Sequence, residues 1–275
     1  SAHGTQALSR IHLDTDIGGD MDDVCALAML LKLPDVEISG ITTVTEDKGR
    51  RAGYVKIILE LVGRGDIPFA AGADVSTNHY LYAPGYPPDD DYWGAPVPPV
   101  PGALDDALML LKKSIERGAL IVGIGQYTNF MLLDKKYPGI LKDANLFLMG
   151  GRIFDPPPDF PQWPNDYDYN IQLDVASAHY VLTHASPTVI PLAVSCQTAL
   201  RRSHLSRLAR AGALGELIVR QAEACARHDQ IAAHNASFRG IPADIINFQH
   251  DPLACAIALG WRDGVDIQTV PLLFE

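Results

Sequence analysis

Apolar runs and helix-spaced apolar positions alternate along most of this chain, as they do when strands feed helices that return to a parallel sheet. Residues 11–16 form an apolar segment that reads as a strand, and 22–33 carry a helical pattern stopped by Pro34. Residues 36–44 are rich in β-branched side chains and lead into a helix-like stretch at 49–62. The short apolar runs at 119–124 and 145–149 are bounded by Gly or Asp, the character of central strands buried on both faces. Another strand is expected at 188–194, with Pro191 near its end or on a sheet edge. Helical patterns follow at 175–183, 205–227 and 252–259, and 265–272 is expected to close the sheet. The expected fold class is therefore α/β: one domain over residues 1–275, with a mainly parallel central sheet and helices on both faces. The first eight residues are expected to form a frayed end.

Two segments break this rhythm. Residues 80–101 are rich in Pro with Tyr, Trp and Asp, and 154–169 are again rich in Pro and aromatics, so both are expected to be loops. Long loops in compact domains serve either as functional lids or as surface ornament. No internal repeat and no linker composition divides the chain.

Composition narrows the function classes. Of 275 residues, 47% are apolar and 20% charged, which is ordinary for a folded globular protein. A net charge of −11 argues against wholesale attraction to nucleic acid or to an anionic membrane, and suits a neutral or cationic small substrate. The same acidity also serves solubility. Four cysteines (Cys25, Cys196, Cys225, Cys255) lack CxxC spacing, which points to a reducing compartment and away from structural zinc. No apolar run reaches the length of a membrane span, and no basic-then-apolar signal pattern opens the chain. A cytoplasmic location is the default expectation, although a removed signal peptide would leave no trace.

The candidate chemistry sits behind the first strand. Asp14, Asp16, Asp20, Asp22 and Asp23 place five carboxylates within ten residues. Like charges so close repel one another, and a cation converts that penalty into binding energy. With no nearby Cys or His, hard oxygen-preferring ions such as Ca²⁺ or Mg²⁺ are the natural candidates. Ligands of an open parallel sheet collect at the carboxyl ends of its strands. Thr43, Thr45, Glu46 and Asp47 fall at such an end, as do Gln126 to Asn129, Gly150 and Gly151. Far along the chain, His250-Asp251-Pro252 opens a helix. Each residue alone also has a structural explanation: Asp22 and Asp23 favour a helix N-terminus, and Asp251 suits a cap. Their joint position is what points to a site.

Asp14-Thr15-Asp16-Ile17-Gly18 followed by Asp22-Asp23 resembles the aspartate cluster of the inosine–uridine nucleoside hydrolase family. Ile41-Thr42-Thr43-Val44, Tyr127-Thr128-Asn129, Met149-Gly150-Gly151, Asp168-Tyr169-Asn170-Ile171 with Asp174, and His250-Asp251-Pro252 follow in the family's order. The resemblance implies a Ca²⁺ ion held by Asp16, Asp23, Asp251 and the backbone carbonyl of Thr128, with ribose hydroxyls and a water completing its shell. It implies Asp16 as the base for that water, and Asp22, Asp47, Asp168 and Asn170 near the ribose. His250 is the candidate acid for the leaving base, with a purely structural histidine as its alternative. The implied reaction is inverting hydrolysis of an N-ribosyl bond by water, through an oxocarbenium-like state that carboxylates stabilise. The implied partners are a small nucleoside or riboside substrate, no nucleic acid, no membrane, and a second copy of the chain in a homodimer or homotetramer.

The chain departs from the family pattern in four places. Two extra residues between Gly18 and Met21 make Asp20 a surplus carboxylate. Asp47 stands for the usual Asn after the second strand, and Asp168 for a ribose-binding Glu one methylene longer. The expected HG-containing loop after Asp74 is replaced by the Pro/Tyr/Asp segment, and Asn165 is a weak match for the family's asparagine before the later ribose-binding stretch. Loop aromatics (Tyr82, Tyr86, Tyr92, Trp93, Phe160, Trp163, Tyr167, Tyr169) serve either to stack on a base or to pack their own loops. Two other readings fit parts of the pattern. One is a Mg²⁺-dependent phosphatase of the haloacid dehalogenase type, since Asp14-Thr15-Asp16 matches a DxD nucleophile, although Gly18 stands where Thr or Val is usual. The other is a non-catalytic protein that keeps the ribose pocket.

Overall fold

A computed structural model describes residues 7–76 and 85–274. The chain runs through β1 (Ser9–Thr15), α1 (Asp22–Lys32), β2 (Val36–Thr43), α2 (Arg50–Leu61), β3 (Phe69–Ala71), α3 (Asp89–Trp93), α4 (Leu104–Glu116) and β4 (Leu120–Gly123). It continues through α5 (Thr128–Lys136), β5 (Asn145–Met149), α6 (Tyr169–Gln172), α7 (Val175–His184), β6 (Thr188–Ile190) and α8 (Leu192–Ser195). The last elements are β7 (Ala199–Arg201), α9 (Leu205–Ala209), α10 (Ala213–Asp229), α11 (Ile231–His234), β8 (Ile245–Phe248) and α12 (His250–Ala258).

Six strands form one sheet in the order β3-β2-β1-β4-β5-β6, every pairing parallel, and β7 with β8 makes a separate antiparallel pair. Side chains alternate across a strand, so the central strands feed two cores. Leu13, Val122, Phe147 and Met149 pack on one face with residues of α1, α2, α10 and α12. Ile121, Leu146 and Leu148 pack on the other with residues of α4, α5 and α7. The expected α/β architecture with helices on both faces is the one observed. The strand order also changes direction at β1, where β2 lies to one side and β4 to the other. This reversal opens the crevice in which the β1–α1 turn sits.

Four expectations need correction. Residues 265–272 form no strand: the segment runs outside the sheet with Ile267 and Val270 exposed. Sheet edges are occupied by β3 and β6 instead. The helix expected at 205–227 is two helices, α9 and α10, broken at Gly212 with φ +86°, a conformation that favours glycine. The strand expected at 188–194 ends at Ile190, because Pro191 has no amide for the ladder and leads into α8. Within the proline-rich segment, Asp89–Trp93 form the short helix α3, with three aspartates in its first turn. The parts of that segment and of the N-terminal end covering 77–84 and 1–6 lie outside the described residues.

Candidate active site

The chain leaves β1 at Thr15 and turns through residues 16–21 before α1, which brings the aspartate run to the carboxyl edge of the sheet. Gly18 makes this turn possible: its φ is +111°, and a Cβ there would lie 2.4 Å from the Tyr54 ring. Asp22 and Asp23 form the first turn of α1, where the helix dipole favours negative charge. Thr15 Oγ1 donates to Asp23 Oδ2 at 2.6 Å. From the far end of the chain, β8 leads into the first turn of α12, which carries Asp251 to the same place.

Asp22, Asp23 and Asp251 are each only 3% exposed. One carboxylate oxygen from each lies within 4.8 Å of the others. Burial first, and neighbouring carboxylates second, push all three well above the usual carboxylate range. Among the described residues no Lys or Arg forms an ion pair with any of them. Three unpaired buried carboxyls so close are unfavourable as they stand, and a hard divalent cation is the group that fits an all-oxygen donor set. Asp16 stands outside this trio, half-buried, yet its charge raises the carboxyls of all three.

These side chains open onto a cavity of about 790 Å³, also lined by Asp20, Asp168, Asn170, Asp229 and His250. Asp168 caps α6, its Oδ1 accepting from the Asn170 amide at 3.0 Å and its Oδ2 from the Gly151 amide. Burial raises its carboxyl to about 6. Asn170 gives its Nδ2 to the carbonyls of Ile124 (3.3 Å) and Met149 (3.0 Å), which leaves its amide oxygen as the acceptor for a ligand hydroxyl. His250 is half-buried, with Nδ1 2.7 Å from Ser195 Oγ, and desolvation lowers it to about 4. It is therefore a neutral imidazole at neutral pH.

Among the sequence-derived candidates, the structure brings Asp16, Asp22, Asp23, Asp168, Asn170, His250 and Asp251 to this cavity. Two others lie apart. Thr128 does not line the cavity; as the first residue of α5 its carbonyl points along the helix, and its hydroxyl donates to Asp174 Oδ2 at 2.5 Å. The carbonyl at the end of β4 that does face the site region is Ile124's. Asp47 is exposed and also absent from the cavity wall. Neither position is readable from spacing, because both follow a strand end closely and only the turn decides which residue points inward.

Sequence reasoning missed Ile124, Asp229 and Cys225. Asp20, Cys225 and Asp229 offer ligand atoms within 4.8 Å of one another across the cavity wall. The i, i+4 spacing of Cys225 and Asp229 near the end of an amphipathic helix is the signal that would have paired them. Tyr86, Tyr92, Trp163, Tyr167 and Tyr169 also line the cavity. Trp93 instead stacks on Tyr54 (4.5 Å, 8°), Phe160 packs beside Gly240, and Tyr82 lies outside the described residues.

A parallel sheet covered on both faces, with an acidic cavity at the carboxyl ends of its strands, places the chain among the α/β proteins whose ligands collect at strand ends. Solved structures agree: a purine-preferring ribonucleoside hydrolase from Gardnerella vaginalis superposes with a TM-score of 0.68 at 22% identity, covering 92% of this chain and 80% of that one. The chain belongs to the inosine-uridine preferring nucleoside hydrolase family, whose sequence model matches residues 11–272. The pyrimidine-specific ribonucleoside hydrolase RihA of Salmonella schwarzengrund is 29% identical over 66% of this chain and 58% of its own length. An uncharacterized protein of Schizosaccharomyces pombe is 28% identical over 72% of this chain and 66% of its own. The chain thus aligns with less than two thirds of the length of either relative.

Proposed function

We propose that this protein hydrolyses the N-glycosidic bond of a ribonucleoside, or of a closely related N-riboside, to free base and ribose. The observation that carries this reading is the buried Asp22–Asp23–Asp251 trio at the floor of the cavity, with Asp16 beside it. These carboxylates, with Asp16 and the Ile124 carbonyl, would hold a divalent ion, for which Ca²⁺ is the choice their all-oxygen chemistry supports. When bound, that ion supplies an anchor for the ribose diol and a lowered pKa for the attacking water.

The chain's own residues supply the rest. Asp16, half-buried at the cavity edge, accepts the proton of the attacking water. The remaining carboxylates stabilise positive charge as it develops on the sugar ring. Asn170 accepts from a ribose hydroxyl, and Asp168 is the second ribose contact, held in place by two backbone amides. For the leaving base the cavity lining offers the rings of Tyr92, Trp163, Tyr167 and His228 to stack against. His250 also lines the cavity, and with its Nδ1 on Ser195 Oγ its Nε2 is the candidate hydrogen-bonding group for the leaving base. A homodimer or homotetramer belongs to this reading on the family resemblance alone.

The phosphatase alternative requires Asp14 as nucleophile. Asp14 is fully buried, its Oδ2 accepts from Thr42 and Asn129, and it does not line the cavity, so it has no access to a substrate. A nucleoside panel assayed for reducing sugar, with and without chelator and restored Ca²⁺, tests the proposal. Ribose release that depends on the ion supports it. Tight nucleoside binding with no release of ribose would establish the non-catalytic alternative.

A further inference from the structure

Gln126 is fully buried just beyond β4 and does not line the cavity, yet its side chain reaches Asp16. Its Nε2 donates to Asp16 Oδ2 at 3.1 Å and to the Tyr169 carbonyl at 3.4 Å, while its Oε1 accepts from Thr45 Oγ1. Chemistry fixes this orientation, because a reversed amide would set its oxygen against a carboxylate and a carbonyl. Thr45 is itself anchored: it holds φ +54°, and its carbonyl accepts from Arg51 Nε at 2.7 Å. Arg51 then returns to the start, with Nη1 donating to the carbonyls of Asp16 at 2.5 Å and Ile17 at 3.2 Å.

The circuit is closed. It runs from the Asp16 carboxylate through Gln126, Thr45 and Arg51 back to the Asp16 backbone, and it ties together the ends of β1, β2 and β4 with the start of α2. Arg51 is 6% exposed and forms no ion pair with a carboxylate among the described residues, so its charge is shared between the carbonyl dipoles beside Asp16 and the face of the Tyr86 ring. A tether there answers a specific need. Asp16 shares one cavity wall with Asp20, Asp22, Asp23, Asp168 and Asp251, and repulsion among carboxylates so gathered drives an untethered one toward solvent.

We propose that Gln126, Thr45 and Arg51 are positioning residues that clamp Asp16 by side chain and backbone at once, so that its carboxylate faces the site against the repulsion of its neighbours. None of the three is assigned to chemistry; they act through Asp16, and the inference rests on the hydrolysis proposed above. Gln126→Met removes the donor at similar volume and tests the clamp. Calorimetric titration of the substrate-free protein with Ca²⁺ should show affinity weakened about fivefold or more, as loss of a charge-assisted hydrogen bond implies. At saturating Ca²⁺, kcat should fall at least ~10-fold while KM stays within about threefold, a split expected when only the water-activating group is misplaced. Thr45→Val should show the same pattern more weakly, and Thr45→Ser, which keeps the hydroxyl, should recover most of it. Should Gln126→Met fail to fold, that Thr45 pair carries the test alone. Unchanged Ca²⁺ affinity and kcat in Gln126→Met, or identical losses in Thr45→Ser and Thr45→Val, would overturn the clamp while leaving wild-type hydrolysis standing. A wild-type protein that neither binds Ca²⁺ nor releases ribose would remove the proposed function and the clamp together.

Discussion

The backbone amide of Asp251 donates to Asp22 Oδ2 at 3.1 Å, joining residues 229 positions apart in the chain. The contact docks the first turn of α12 against the first turn of α1, and it brings a third carboxyl into a buried place that already holds two. Folding therefore gathers acidic groups that no Lys or Arg pairs with among the described residues.

Asp251→Asn separates the stability of the fold from that of the site. It removes one repelling carboxyl and keeps the backbone amide that binds Asp22. Without divalent ions the variant should melt at the same temperature as the parent or a few degrees higher. The increase in melting temperature that Ca²⁺ gives the parent should disappear, because an ion stabilises only the folded site that binds it. Thermal melts with and without Ca²⁺ decide this; an undiminished Ca²⁺ response in Asp251→Asn would exclude that carboxylate as a ligand.

Asp16→Asn addresses the chemistry. The amide cannot accept the proton of the attacking water, so kcat should drop by about 10²–10⁴, the usual contribution of a positioned general base. Far-ultraviolet circular dichroism should be unchanged, since Asp16 lies in a turn and outside both flanking elements. A variant that retains a tenth or more of parental kcat would deny Asp16 that role.

The parts legible in sequence and the parts that were not differ for physical reasons. The strand at 145–149 stood out because a parallel strand buried on both faces is largely apolar, and the one at 36–43 because β-branched side chains suit a pleated surface. The Asp22–Asp23–Asp251 convergence was legible as motif order, although the trio pairs Asp22 with the two expected ligands, while Asp16 stands slightly apart. Thr128 and Ile124 could not be told apart, since a carbonyl's direction depends on where β4 ends and α5 begins. Residues 265–272 look like a strand by composition, but a strand needs a pairing partner as well as suitable side chains, and this segment pairs with none of the strands. The Gln126–Thr45–Arg51 circuit leaves no local signature at all: its members come from two strand ends and the start of a helix, and tertiary contact alone unites them.

Buried titratable groups give the metal-free protein a pH dependence of definite sign. Burial raises Asp14 from an ordinary 3.8 to about 7, and it raises Asp22, Asp23 and Asp251 in the same direction. A folded-state value above the unfolded one means stability that is complete below the unfolded value and is lost as pH rises through the folded value. His12, lowered to about 3, and His250, lowered to about 4, act in the opposite sense, with stability lost as pH falls below their ordinary 6.5. Above pH 6.5 the histidines no longer contribute, and the carboxyls alone set the slope. In chelator, denaturation midpoints should therefore fall between pH 6.5 and 8. With Ca²⁺ the fall should shrink or reverse, because protons no longer compete for the ligands. Equal metal-free stability at pH 6.5 and pH 8 would contradict the assignment.

Charge at the cavity wall also predicts which ribosides enter. Among the described residues, seven aspartates line it (Asp16, Asp20, Asp22, Asp23, Asp168, Asp229 and Asp251) against one guanidinium, that of Arg51. A divalent ion offsets two of those charges, and Arg51 is already committed to the carbonyls of Thr45, Asp16 and Ile17. A 5′-phosphate would bring up to two further negative charges into a wall that offers no uncommitted Lys or Arg among the described residues, and desolvation in a cavity magnifies the repulsion. For any nucleoside the protein cleaves, the matching 5′-monophosphate should have a kcat/KM lower by at least ~10-fold, equivalent to about 1.4 kcal/mol. Raising the salt concentration should narrow the gap only in part, since screening acts weakly inside a cavity. Comparing such a pair at two ionic strengths measures this directly, and a monophosphate cleaved as well as its nucleoside would show that the acidic wall does not repel the substrate's 5′ end.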